Sequence, residues 1–177
     1  MAASDGGDEE LVIYHPNREK ATSKATKTIV VVLLLASAGL VAIITLGGWA
    51  SLQGDQIVSI SYVIIYAVMA YFVARWSRGM LPLAAALAII LLVFAAIAAP
   101  GWFDRSHSGY DNPGLPPDLI GLLTAITIPV QLLLIAFAMR AFSQEWNVEI
   151  EMTRDEMQRR RKRERGNGSG YRPQPQG

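Results

Sequence analysis

LPLAAALAIILLVFAAIAA, residues 81–99, contains no charged and no amide side chain. A hydrocarbon core about 30 Å thick is crossed by about 20 apolar residues in a helix, so this run is of spanning length. Three more runs of the same kind occur at 28–49, 57–74 and 119–139, and none of them contains Asp, Glu, Lys or Arg. The sequence therefore predicts an all-α membrane protein, a bundle of four transmembrane helices.

The basic residues are distributed unevenly between the two sides of such a bundle. The chain has 16 Lys and Arg, and all except Arg105 fall before the first span, between the second and third, or after the fourth. Loops rich in Lys and Arg stay cytoplasmic, so we expect both termini in the cytoplasm. The high Ala, Gly and Arg usage is typical of a prokaryotic chain, and we expect the inner (plasma) membrane of a bacterial cell.

The spans divide the chain into four parts. We expect residues 1–27 to form a mostly disordered cytoplasmic segment and 28–140 the transmembrane domain, followed by a juxtamembrane segment with a basic helix at 141–165 and a disordered tail at 166–177. The first span is expected to be retained, because its apolar run exceeds the length of about 7 to 15 residues that is typical of a secretory signal.

Two short segments outside the spans are β-prone. Residues 11–14 are branched or aromatic, and residues 146–152 alternate between apolar and polar with a period of two. One interpretation pairs the two segments as a ribbon that ties the first helix to the last. The other continues the fourth helix past Met139 through Phe142 and Trp146, with those rings at the membrane interface. Aromatic residues are common at that interface, so we favour the second interpretation.

A basic cluster follows these segments. Thr153 and Glu156 have the spacing of a capping box, which predicts that a tail helix starts after Thr153. Near an anionic leaflet each positive charge gains up to about 1 kcal/mol, so we predict contact with anionic lipid headgroups. One alternative is that the basic cluster only fixes the orientation of the chain in the membrane. Another is that it binds nucleic acid, which is disfavoured because no aromatic residue is interleaved to stack on bases. The residues of the cluster are Arg159, Arg160, Arg161, Lys162, Arg163 and Arg165.

Polar side chains inside the spans fall on two helices at helical spacing. An amide in hydrocarbon needs a partner, and a proline kinks a helix and frees a carbonyl. Either Gln131 bonds to a tyrosine of the second span and fixes the helix packing, or Pro129 and Gln131 border a substrate or ion site near the midplane. The candidate intramembrane polar cluster is Tyr62, Tyr66, Thr124, Thr127, Pro129 and Gln131.

Other residues predict how the helices pack and end. Small side chains recur down one side of the third span, at Ala84, Ala88, Ala95 and Ala99, so we expect this span to lie among the other helices. In the loop that follows, we expect Trp102 and Phe103 to lie at the lipid headgroups, and Asp118 to cap the fourth helix.

No pattern indicates catalysis, a cofactor or a metal. The chain has no Cys and lacks the Walker, G-x-S-x-G, H-E-x-x-H and dinucleotide motifs, and its spans contain no carboxylate or His to couple transport to ions. We therefore expect a non-catalytic small subunit or scaffold of a membrane complex. The partner we expect is a larger membrane protein complex, and a homo-oligomer is the alternative to that complex. The alternative is a passive or weakly coupled transporter or channel organised around Pro129 and Gln131. A water-accessible midplane cavity would favour the transporter, and tight packing there would favour the subunit.

Overall fold

Four long helices make up most of the described chain. The computed structural model describes residues 11–14, 20–52, 54–105, 113–146 and 148–153, together with residues 156, 158, 159, 162 and 163. Each helix is long and apolar enough to cross a membrane, which confirms the four spans and a mostly helical integral membrane protein. The helices are α1 (Ala21–Gly47), α2 (Gln56–Ala74), α3 (Met80–Asp104) and α4 (Pro117–Phe142).

The chain divides into two compact units. One unit, Asn17–Trp146, holds the four helices, and the other combines Met1–Pro16 with Asn147–Gly177. The described part of the second unit contains two strands, β1 (Leu11–Tyr14) and β2 (Ile150–Thr153). The strands pair antiparallel, with Leu11 opposite Thr153 and Tyr14 opposite Ile150.

The helices are arranged across the bundle in the order α2, α1, α4, α3. α1 packs against α2 and α4, and α3 packs chiefly against α4, whereas α2 and α3 have few contacts with each other. The predicted small face of α3 is buried at Ala84, Ala88, Ala95 and Ala99. However, α3 lies at the edge of the bundle rather than among the other three helices, because the alanines pack mainly on one neighbour.

The two ends of the bundle differ in charge. At the basic end, Lys27 Nζ donates a hydrogen bond to the carbonyl of Ala74 (3.2 Å), and Arg78 Nε donates to that of Phe142 (3.0 Å). At the other end, Arg105 Nη1 donates to the carbonyl of Ser51 (3.3 Å). We call them the basic end and the Arg105 end. The assignment of the basic end to the cytoplasm stays a prediction.

The start of α1 differs from the predicted boundary. The helix begins at Ala21, whereas the apolar run predicted a start at Thr28. Its first two turns are polar, yet Ser23 and Thr26 are buried at the basic end of the bundle. Hydropathy alone misses these turns, because packing within the protein rather than lipid covers them.

Two boundaries at the Arg105 end also differ. α3 continues through Pro100 to Asp104, because burial of Trp102 in the last turn offsets the helical hydrogen bond that a proline cannot donate. α4 begins at Pro117, a residue whose fixed φ suits a first helical position. Asp118 therefore lies inside the first turn and does not cap the helix, contrary to prediction.

The segment after α4 corrects the favoured interpretation of the sequence. α4 ends at Phe142, so a helix that continues through Trp146 is wrong. Glu145 has a φ of 49°, in the left-handed region, and Trp146 is buried rather than exposed at a membrane interface. The pairing of β1 with β2 confirms that the two segments form a ribbon, with a ladder that begins only at Ile150.

The predicted capping box is present in the second unit. The backbone N–H of Thr153 donates to Glu156 Oε2 (3.3 Å), and the N–H of Glu156 donates to Thr153 Oγ1 (3.4 Å). The described residues of the basic cluster, Arg159, Lys162 and Arg163, are helical and exposed. Arg160, Arg161 and Arg165 lie outside the described residues, as do the segments predicted to be disordered at 1–10 and 166–177.

Candidate functional site

A hydrogen-bonded network joins three helices near their middles. Gln131 of α4 is fully buried, and its Nε2 donates to Ser37 Oγ of α1 (2.9 Å). The Tyr66 hydroxyl of α2 donates to Gln131 Oε1 (3.1 Å), and Ser37 Oγ donates to the carbonyl of Leu33 (2.7 Å). We call Ser37, Tyr66 and Gln131 the Gln131 network.

The Gln131 network satisfies its own polar atoms. Among the described residues, no buried side-chain nitrogen or oxygen lacks a hydrogen-bond partner. Ser37, Tyr66 and Gln131 are each 0% exposed, so no opening reaches them. The bond that the sequence predicts between Gln131 and a tyrosine is formed, and the tyrosine is Tyr66.

Aliphatic side chains fill the bundle between the Gln131 network and the basic end. Leu34 lies one turn from Ser37, Leu134 one turn from Gln131, and Met69 and Val73 follow Tyr66 along α2. All four are buried. A layer of fully buried apolar side chains is typical of a close-packed protein interior.

A cavity of about 390 Å³ lies on the other side of the Gln131 network, toward the Arg105 end. Residues of all four helices line it. Three members of the predicted polar cluster, Tyr62, Thr124 and Thr127, are among the lining residues, but Gln131 and Pro129 are not. Pro129 is exposed on the outside of α4. The structure thus separates the six predicted residues, and their role as a functional site stays a prediction.

The hydroxyl groups of the cavity fall into two kinds. Thr45, Thr124 and Thr127 each donate to the carbonyl four residues earlier, at distances of 2.6, 2.8 and 3.0 Å. The hydroxyls of Ser59 and Tyr62 have no hydrogen-bond partner in the described part of the chain. Tyr62 as a whole is only 9% exposed, but its hydroxyl oxygen is not fully buried, since every fully buried side-chain oxygen in the described residues has a partner. The Tyr62 ring packs edge-to-face on that of Tyr66 at 5.8 Å. The cavity is therefore apolar with two available hydroxyls.

Trp102 lines the cavity at the Arg105 end instead of lying at the lipid headgroups. It is buried, and a Cβ added to Gly48 would lie 2.6 Å from its Cη2 atom. Only glycine at position 48 lets the ring pack this closely on the end of α1. The guanidinium of Arg105 lies 5.0 Å from the centre of the same ring. Phe103 is 42% exposed, and its location at the lipid headgroups stays a prediction.

An aromatic cluster closes the basic end. Trp146 is fully buried, and its ring contacts that of Trp76 edge-to-face at 5.2 Å. Trp146 Nε1 donates to Gln144 Oε1 (3.1 Å), and Gln144 Nε2 donates to Thr26 Oγ1 (3.0 Å). Lys27 Nζ lies 4.2 Å from the centre of the Trp76 ring. These five residues, the tryptophan cluster, join α1, the α2–α3 turn and the segment after α4.

Sequence reasoning missed several of these residues. Ser37 has a weak signal, since it is the hydroxyl residue nearest the middle of the first span, between Thr28 and Thr45. Trp76 has no such signal, because its contacts with Lys27 and Trp146 connect distant parts of the chain. Within the described ranges, no group of three or more His, Asp or Glu side chains is placed to hold a metal ion.

The chain matches no protein-family model, and it matches neither a curated protein nor a solved structure.

Proposed function

We propose that this integral membrane protein is a non-catalytic small subunit or scaffold of a larger complex in a bacterial inner membrane. The observation that carries the proposal is the closed middle of the bundle. Gln131 is the most polar side chain within the spans, yet it is 0% exposed and both ends of its amide are hydrogen-bonded to other helices. A buried amide used in this way fixes the register of helices rather than binding a solute.

The outer surface of the bundle agrees with a role in packing. Large aliphatic side chains point outward from every helix, among them Val32, Ile64, Ile90 and Leu133. Such side chains pack equally well on lipid and on the apolar helices of a neighbouring membrane protein. The described part of the second unit adds a two-stranded ribbon, a surface to which a soluble or membrane-bound partner can bind without any catalytic step.

A passive transporter or channel is the second candidate, and the cavity favours it. The cavity reaches from the Arg105 end as far as Thr127. A conduit needs it to continue past the Gln131 network, where the side chains are fully buried. Rotation of the Gln131 side chain out of the way would break its hydrogen bonds with Tyr66 and Ser37, at roughly 0.6 to 2 kcal/mol each. This cost disfavours the conduit.

We also propose that the basic end faces the cytoplasm, with its tail near anionic lipid. The chain has no Cys, so single cysteines can be placed without a background signal. A membrane-impermeant maleimide applied to intact cells is expected to label Asp118→Cys, at the Arg105 end, and to leave Ser169→Cys unlabelled until the cells are permeabilised. Labelling of Ser169→Cys in intact cells would reverse the orientation.

Extraction in a mild detergent tests the proposed role. The tagged full-length protein is expected to leave the membrane bound to a larger membrane protein in a fixed ratio.

A further inference from the structure

We propose that the cavity between α2 and α3 binds one acyl chain of a zwitterionic phospholipid, with the headgroup held between Asp55 and Arg105. This inference does not depend on the proposed role as a subunit. It rests on where the cavity opens, on the chemistry of its walls, and on the two charged side chains at the Arg105 end.

The cavity opens sideways toward the surrounding hydrocarbon. Its two walls are α2 and α3, which have few contacts with each other, while α1 and α4 form the floor. Val58 on α2 and Phe94 and Ile97 on α3 line the cavity and are also 50%, 52% and 72% exposed. Residues that are at once lining and exposed form the edges of an opening, so a lipid chain can enter from the bilayer without crossing water.

The interior of the cavity suits a hydrocarbon chain. Val41, Leu91 and Ala95 are buried apolar residues of its floor and walls. Its volume of about 390 Å³ lies within the usual range of small-molecule pockets, roughly 300 to 1,000 Å³. Because the threonine hydroxyls already donate to backbone carbonyls, they require nothing further from an occupant.

Two hydroxyls are placed for the ester groups of such a lipid. Ser59 and Tyr62 lie four and seven residues after Asp55 on α2, which corresponds to depths of about 6 and 10 Å at the rise of an α-helix. Ester carbonyls lie below the headgroup at the top of the chains, where a donor in an otherwise apolar wall finds its acceptor. Neither hydroxyl has a partner among the described residues, and Tyr62 is nine-tenths buried at 9% exposure.

Two side chains of opposite charge lie at the Arg105 end of the bundle, one lining the cavity and one packed on a residue that lines it. Asp55 lines the cavity at the start of α2, and its side chain does not cap the helix by a hydrogen bond. Arg105 does not line the cavity, but its guanidinium donates to the carbonyl of Ser51 and lies 5.0 Å from the ring of Trp102, which does line it. Within the described part of the chain neither side chain has an ion-pair partner. A lipid ammonium group would pair with the Asp55 carboxylate, and a lipid phosphate with the Arg105 guanidinium. This pairing favours a zwitterionic headgroup such as that of phosphatidylethanolamine over an anionic one.

The test measures lipid retained by the purified protein in native mass spectrometry, with phosphatidylethanolamine and phosphatidylglycerol added at equal concentration. The wild type is expected to retain a single phosphatidylethanolamine. Ala98→Phe places a ring at the exposed edge of the cavity and is expected to reduce the bound fraction about tenfold. Ala96→Phe is the matched control, because Ala96 is exposed on the same helix but does not line the cavity. It is expected to bind like the wild type.

A second variant tests the headgroup. Asp55→Asn keeps the cavity and is expected to remove the preference for phosphatidylethanolamine over phosphatidylglycerol while a lipid still binds. Equal retention by Ala98→Phe and Ala96→Phe would overturn the proposed chain site. Equal binding of the two lipids by the wild type would overturn the proposed headgroup contact. Because neither Ala98 nor Asp55 is buried, both variants are expected to fold.

Discussion

Replacing Gln131 by alanine is expected to lower the free energy of unfolding of the bundle by about 2 to 4 kcal/mol. The change removes the acceptor for the Tyr66 hydroxyl and the donor to Ser37 Oγ, and it leaves a void among fully buried side chains. Ser37 keeps its bond to the carbonyl of Leu33, so the Tyr66 hydroxyl is the group left without a partner. The measurement is equilibrium unfolding in mixed micelles with increasing denaturing detergent.

Three further variants separate packing from hydrogen bonding at this site. Gln131→Met keeps most of the volume and is expected to lose only the bonds, and Tyr66→Phe removes one bond at about 1 kcal/mol. Gln56→Ala is the matched control, because the side chain of Gln56 bonds to the carbonyl of Trp49 in an exposed loop. If Gln131→Ala and Gln56→Ala destabilised the protein equally, the Gln131 network would not fix the helices.

Replacing Trp146 by alanine is expected to destabilise the bundle by about 3 to 5 kcal/mol, in the range for a fully buried large aromatic. The variant loses the edge-to-face contact with Trp76 and the bond from Nε1 to Gln144. The Gln144 side chain then keeps only its hydrogen bond to Thr26 Oγ1. We expect the basic end to open, which is measurable as faster proteolysis after α4 together with the lower unfolding free energy.

Trp49→Ala provides the matched control for this change. Trp49 is 49% exposed at the Arg105 end, whereas Trp146 is 0% exposed. The same substitution at position 49 is therefore expected to cost clearly less, since about half of the Trp49 side chain has no protein contact to lose. Equal losses at the two positions would contradict a structural role of the tryptophan cluster.

The spans were predictable because the bilayer imposes one simple requirement, a long run of residues without charge. The helix ends were less predictable, since they depend on packing between distant residues. Ser23 and Thr26 extend α1 because they are buried at the basic end, and Trp102 extends α3 because it packs over Gly48. Neither contact leaves a periodic pattern in the local sequence.

A short alternating pattern alone could not predict the ribbon. Residues 146–152 alternate with a period of two, but the strand that β2 pairs with is Leu11–Tyr14, more than 130 residues earlier in the sequence. Without that partner in view, a continuing helix with interfacial aromatics was the more ordinary interpretation. The residue with the left-handed φ after the end of the helix is Glu145 and not a glycine, so the sequence does not indicate this turn.

The candidate site was predictable only in part. A glutamine in hydrocarbon requires a partner of its own, so the bond with Tyr66 followed from the sequence. The choice of Ser37 as the second partner depends on the packing of α1 against α4. The cavity depends on α2 and α3 having few contacts with each other, and a separation between helices has no sequence pattern.

The size and composition of the particle that leaves the native membrane test the proposed role most directly. The tagged full-length chain is extracted in mild detergent, sized, and identified by mass spectrometry beside an unrelated four-span protein with the same tag. A stoichiometric larger membrane protein, present with this chain and absent from the control, is the result expected of a subunit or scaffold. A lone bundle or a homo-oligomer would contradict that role, and solute flux through reconstituted vesicles that falls in Gln131→Ala would replace it with the passive transporter.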